Sequence, residues 1–141
     1  MYTATKEFKR DMAHRLPTHE WKCFNVHWHT YKALITIEWE DLQTEWPETW
    51  MLRDFSNFKE IKEWIDTYRD HAYVWVKWDE VLDFLAEKWY RTYEMSTNPT
   101  AEEMAYKLYI ISRLSLANDW QYQVKSVTVY ETPTSFSTYS E

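Results

Sequence analysis

Glycine is missing from all 141 residues, where a usual frequency of about 7% would give roughly ten. Tight turns and helix C-caps need φ > 0, which glycine adopts without strain and a bulky side chain does not. Cysteine is nearly missing as well. Cys23 stands alone, which excludes an internal disulfide and suits a reducing compartment. No run approaches the roughly 18 apolar residues of a membrane span, and Met1 to Phe8 holds no apolar stretch of signal-peptide length, so a cytoplasmic protein without a membrane partner is expected. Basic charge is scarce. Sixteen Lys and Arg face 23 Asp and Glu, for a net charge of −7. With a pI near 5.2, this argues against nucleic acid as a partner, because phosphate neutralisation needs a basic face.

What the chain has in excess is tryptophan, with 10 copies. Eight of them, Trp21, Trp28, Trp39, Trp46, Trp50, Trp78, Trp89 and Trp120, stand in turn contexts where glycine would be ordinary. Trp89 follows the helical run Glu80 to Lys88, at the C′ position that glycine favours. Trp64 and Trp75 differ from these. Trp64 continues the spacing of Phe58, Ile61 and Ile65 along one helix face, and Trp75 lies in the apolar run Tyr73-Val74-Trp75-Val76. The eight are read as glycine codons translated as Trp, as happens when UGA is read under the wrong genetic code. Deliberate substitution and a true Trp-rich chain are the alternatives.

At 17.5 kDa the chain suits one domain, residues 1–141, with a loose Ser/Thr-rich tail over about 133–141. Residues 2–13 and 29–38 read as strands, joined by a polar segment around Pro17 to Asn25. A loop over 41–50 leads to a helix that starts near Asp54 and runs to about Tyr68. A second helix spans about Asp79 to Lys88, and Tyr90 to Met95 alternates like a strand. Asn98-Pro99-Thr100 opens a third helix, with Glu102 or Glu103 placed for capping and Ala105, Leu108, Tyr109, Ile111 and Leu116 forming its apolar face. A last strand covers Val124 to Glu131. This order predicts an α+β fold, a four-stranded antiparallel sheet with helices packed on one face.

The densest chemical signal is Cys23-x3-His27-x-His29. Two residues apart on a strand, His27 and His29 project from one face, and His14, at the end of the preceding strand, can supply a third nitrogen. Three imidazoles with an open fourth position is the pattern of a catalytic zinc site, while surface or core histidines unrelated to metal are the bland reading of a bare H-x-H. Cys23 is open to three roles: fourth ligand, packed apolar residue or activated nucleophile or base. Asp70-His71 offers a carboxylate to orient an imidazole, against the alternative of a polar turn. Glu131 ends an apolar strand, either half-buried and able to accept paired N–H donors or solvated.

With glycine at position 28, Ala13-His14-Arg15-Leu16-Pro17 and Cys23-Phe24-Asn25-Val26-His27-Trp28-His29-Thr30-Tyr31 resemble the signature of the 6-pyruvoyl-tetrahydropterin synthase family, more closely its 6-carboxy-tetrahydropterin synthase branch. Asp54-Phe55, Asp70-His71, Asn98-Pro99-Thr100-Ala101-Glu102 and Glu131-Thr132 follow in the family's order, so the resemblance runs from about Phe8 to Glu131. It implies the tunnelling fold, a homo-oligomer with active sites at subunit interfaces. It further implies Zn²⁺ on His14, His27 and His29, Cys23 as base or nucleophile, and Asp70 and His71 as a proton relay. Glu131 would anchor the pterin, with Thr100, Asn98 and Glu102 in its pocket. The implied substrate is 7,8-dihydroneopterin triphosphate, and the implied products are 6-carboxy-5,6,7,8-tetrahydropterin, acetaldehyde and triphosphate, in queuosine biosynthesis. The short Cys23-x3-His27 gap ranks the pyruvoyl-forming activity second. A non-catalytic module with aromatics stacking on sugars or bases, and a recoded chain without function, are further rivals.

The intact mass of the protein from its native cells tests the tryptophan reading. Each misread position should lighten the chain by the difference between Trp and Gly, and a mass matching all ten tryptophans overturns it.

Overall fold

The computed structural model describes residues 1–116 and 122–141. Two long strands, β1 (Tyr2–His14) and β2 (His27–Trp39), pair antiparallel along their whole length, from Tyr2 opposite Trp39 to His14 opposite His27. Helix α1 (Lys59–Tyr68) follows a short 3₁₀ turn, Phe55–Phe58, whose start is capped by the Asp54 carboxylate accepting from the Ser56 N–H at 2.7 Å. Then come β3 (Ala72–Val76), α2 (Val81–Glu87), β4 (Thr92–Met95), α3 (Ala101–Leu116), β5 (Gln123–Thr132) and β6 (Ser135–Ser140). The sheet order is β4-β3-β1-β2-β5-β6.

The α+β class holds, but the sheet among the described residues has six strands, not four, and it is mixed. β3 runs parallel to both β1 and β4. All five of its residues are buried, so it lacks the polar alternation that marks a half-exposed strand. The tail expected to be loose contains β6, paired antiparallel to β5. Its Ser/Thr content looks disordered, yet Phe136 lies 4.6 Å from Tyr130, and Tyr139 lies 5.0 Å from both Tyr106 and Tyr109, by ring centroids. Those ring contacts offset the ordering entropy of the segment.

The core lies between one sheet face and the helices. Phe8, Met12, Tyr31, Ile35, Ile37, Val127 and Val129 meet Phe58, Ile61 and Ile65, and Met104, Leu108 and Tyr109. Each such apolar side chain contributes about 1.5–3 kcal/mol by leaving water. Ser112 takes the buried position expected of Ile111, its hydroxyl satisfied by the Leu108 carbonyl at 2.7 Å.

The tryptophans divide into packed and exposed sets, although Trp28 and Trp39 lie within strand β2 rather than in turns. Trp75 is buried and Trp64 packs against the core, whereas Trp21, Trp28, Trp39, Trp46, Trp50, Trp78 and Trp89 are exposed; Trp120 lies outside the described residues. Trp50 and Trp89 have φ of 65° and 60°, the left-handed region. At Trp89 the Tyr90 N–H donates to the Leu85 carbonyl and the Trp89 N–H to the Ala86 carbonyl, both at 3.1 Å. This is the Schellman helix ending, whose C′ residue is usually glycine.

Trp89→Gly should therefore stabilise the fold by about 1–2 kcal/mol, read as a higher urea midpoint. Trp75→Ala should instead cost about 3–5 kcal/mol. Destabilisation by Trp89→Gly would contradict the backbone argument.

Candidate metal centre

The site grows from one register and one alternation. His14 stands opposite His27 at the end of the β1–β2 ladder, and Met12 stands opposite His29. Side chains two apart on a strand share a face, so His27, His29 and Tyr31 line up beside His14. Ring centroids lie 4.5 Å apart for His14–His27, 5.4 Å for His14–His29 and 5.0 Å for His27–His29. One nitrogen from each ring can be chosen so that all three lie within 4.8 Å of one another, so the three could hold a metal ion.

Two of the rings are already oriented. His14 Nδ1 donates to the Pro99 carbonyl at 2.8 Å and His27 Nδ1 to the Asn25 carbonyl at 2.7 Å, leaving Nε2 as the lone-pair nitrogen in each. Burial lowers the His29 pKa from its ordinary value, which favours the neutral form a metal needs. The donor set thus fits a divalent ion such as zinc.

Glu131 reaches this cluster from β5. Its Oε1 lies 3.3 Å from His14 Nε2 and 3.8 Å from His29 Nε2, and it accepts from the Tyr31 hydroxyl at 3.2 Å. When His14 is protonated on both nitrogens, its Nε2–H outweighs burial and holds the Glu131 carboxyl below the usual range; when Nε2 is the lone-pair nitrogen, the Tyr31 hydroxyl is the donor that remains. Burial pushes the Tyr31 hydroxyl well above its ordinary pKa, keeping it a neutral donor. Tyr31 was not singled out as a functional residue from sequence, although the alternation His27-x-His29-x-Tyr31 carried the signal.

The segment from Asn98 to Glu102 comes to the same side, since the Pro99 carbonyl holds His14. Asn98 Nδ2 donates to Thr18 at 2.7 Å, while its buried Oδ1 has no partner among the described residues. Thr100 Oγ accepts from the Glu103 N–H at 3.4 Å as a helix cap, and Glu102 accepts from the Ser137 hydroxyl at 2.8 Å. Cys23 sits partly buried on the 3₁₀ turn Lys22–Phe24.

Asp70 and His71 are in contact, with Oδ1 3.0 Å from Nδ1. His71 has φ of 54°, and its N–H donates to the Asp11 carbonyl at 2.8 Å. The pair opens on the other sheet face. His71 borders a groove with Ala13, Trp28 and Tyr73, and Asp70 borders one with Lys9, Asp11 and Thr30. These strand positions alternate with those of the three imidazoles. Trp28 therefore does not crowd the His27–His29 face; it lies beside His71.

The chain resembles known proteins in both sequence and fold. A family model described as 6-pyruvoyl tetrahydropterin synthase matches residues 3–141. The chain belongs to that family. It is 37% identical to a Haemophilus influenzae protein named 6-carboxy-5,6,7,8-tetrahydropterin synthase, covering 100% of both chains. A Rickettsia bellii protein of the same name is 29% identical over 96% of this chain and 98% of its own. An uncharacterized protein from Wolinella succinogenes superposes with a TM-score of 0.85 at 22% identity, covering 99% of this chain and 98% of that one. The Caenorhabditis elegans 6-pyruvoyl tetrahydropterin synthase gives 0.68 at 19% identity, covering 99% and 95%. The fold is the family's tunnelling fold.

Removing one imidazole tests the centre. His27→Ala should weaken zinc binding in a competition titration by more than the roughly 10–100-fold typical of losing an outer-shell partner. His71→Ala, on the opposite sheet face, should leave zinc affinity unchanged.

Proposed function

We propose that this chain is a 6-carboxy-5,6,7,8-tetrahydropterin synthase. It takes 7,8-dihydroneopterin triphosphate and one water to 6-carboxy-5,6,7,8-tetrahydropterin, acetaldehyde and triphosphate, in the cytoplasmic route to queuosine and related 7-deazaguanines. The observation that carries the reading is the convergence of His14, His27 and His29, in a chain 37% identical over its full length to a protein of that name.

His14, His27 and His29 would hold Zn²⁺, which when bound supplies Lewis acidity to substrate hydroxyls. Glu131, already ionised, accepts the amino and ring N–H groups of the pterin as paired hydrogen bonds. The buried Asn98 Oδ1 offers a further acceptor, and Thr100 and Glu102 complete that wall. Cys23 removes a carbon-bound proton from the substrate side chain. His71, oriented by Asp70, returns a proton on the ring side. Because Asp70 and His71 open on the face opposite the imidazoles, the reading calls for a homo-oligomer in which one copy's relay meets its partner's metal centre. Family membership speaks against a non-catalytic aromatic module, and the pyruvoyl-forming reaction is separated by its product.

Zinc-loaded protein given the dihydropterin triphosphate should release acetaldehyde, detected with alcohol dehydrogenase and NADH. A pyruvoyl product without acetaldehyde would overturn the assignment. Cys23→Ala should keep its zinc and lose turnover by about 10²–10⁴-fold.

A further inference from the structure

The turn that carries Cys23 has little to hold it. None of Lys22, Cys23 and Phe24 is buried, and no side chain caps the turn's N-terminus, while Asn25 Nδ2 donates to the Lys22 carbonyl at a long 3.5 Å. Among the described residues a backbone hydrogen bond and a ring contact tie it to the rest of the molecule, and both lead to Arg15 and its neighbour. The Leu16 N–H donates to the Cys23 carbonyl at 2.7 Å, and the Phe24 ring stacks on the Arg15 guanidinium, with Cζ 5.1 Å from its centroid.

Arg15 directly follows His14 and is itself clamped. Its Nε donates to both oxygens of Asp79, at 2.9 and 3.0 Å, and Nη2 donates to Oδ1 at 2.5 Å. Asp79 is only 3% exposed. Its carboxylate also accepts from the Tyr73 hydroxyl at 2.9 Å and from the Val81 N–H at 3.0 Å, at the start of α2. The buried pair thus joins three pieces: the strand end that bears His14, the Cys23 turn and the β3–α2 connection. A bidentate Arg–carboxylate fork fixes direction as well as distance, which a single charge contact does not.

We propose that Arg15 and Asp79 are positioning residues that seat the Cys23 turn against the metal-ligating strands, with Phe24 as the contact through which they act. This rests on the reading of Cys23 as the group that moves a substrate proton. The seat itself is a property of the fold and can be measured without turnover. A group displaced by about 1 Å from its reacting atom loses on the order of 10²-fold in rate.

The test compares wild type, Asp79→Asn, Asp79→Glu and Phe24→Leu, all zinc-loaded, by three readouts: kcat and KM, the rate of Cys23 carboxymethylation by iodoacetate well below the melting temperature, and thermal stability. Asp79→Asn should lower kcat about 10²-fold with KM nearly unchanged, and should speed carboxymethylation several-fold as the turn loosens. Asp79→Glu should restore part of both. Phe24→Leu leaves the buried ion pair whole, so it keeps the proposal testable should Asp79→Asn fail to fold. It should speed carboxymethylation at unchanged melting temperature. Lower thermal stability with wild-type carboxymethylation and kcat in the folded variants would reduce the pair to a structural role and overturn the proposal. Turnover retained by Cys23→Ala would instead overturn the catalytic reading of Cys23, and faster carboxymethylation in Phe24→Leu would then still establish the seat.

Discussion

Period-two alternation along two paired strands is the constraint on which the rest of this protein depends. The β1–β2 ladder runs unbroken from Tyr2–Trp39 to His14–His27. A slip of one residue would send His27, His29 and Tyr31 to the face that carries Trp28 and Thr30, and would also turn Ile35 and Ile37 out of the core. The buried isoleucines and the imidazoles therefore enforce the same register from opposite ends of one strand. Core packing positions the three imidazoles.

That alternation also separates the chemistry. The three imidazoles, Tyr31 and Glu131 share one face, and Asp70 and His71 open on the other. The His71 backbone is held in the left-handed region at the head of β3, which lets its ring turn back onto the adjacent Asp70. Such a conformation costs energy in a residue with a Cβ, and it persists because the Asp11 carbonyl holds the His71 N–H. Arg15 and Asp79 link the strand end that bears His14 to the turn that bears Cys23.

The tryptophans put the same physics in another place. Trp89 completes a Schellman ending with φ of 60° while 95% exposed, so its indole contributes nothing to the core and its Cβ opposes the backbone. Trp75, 4% exposed, fills space within β3. One residue type thus occupies two kinds of site. In the exposed set, Trp50 and Trp89 occupy left-handed backbone that opposes a side chain, whereas Trp28 and Trp39 lie in strand β2, where any residue fits.

Much was legible in the chain. The H-x-H spacing, the amphipathic runs of α1 and α3, and the two long strands depend on local periodicity, which sequence carries directly. The glycine-like contexts of Trp50 and Trp89 were legible for the same reason, since a turn is a local object. What only the tertiary structure decided were relations between distant residues. β3 is buried on both faces and so lost its alternation, and β6 is ordered by rings on β5 and α3. Asp79 found Arg15 across 64 positions, and the Asp70–His71 pair fell on the face opposite the imidazoles. Local sequence sets which way a side chain points along its own strand, and only the closing of the sheet determines what it meets there.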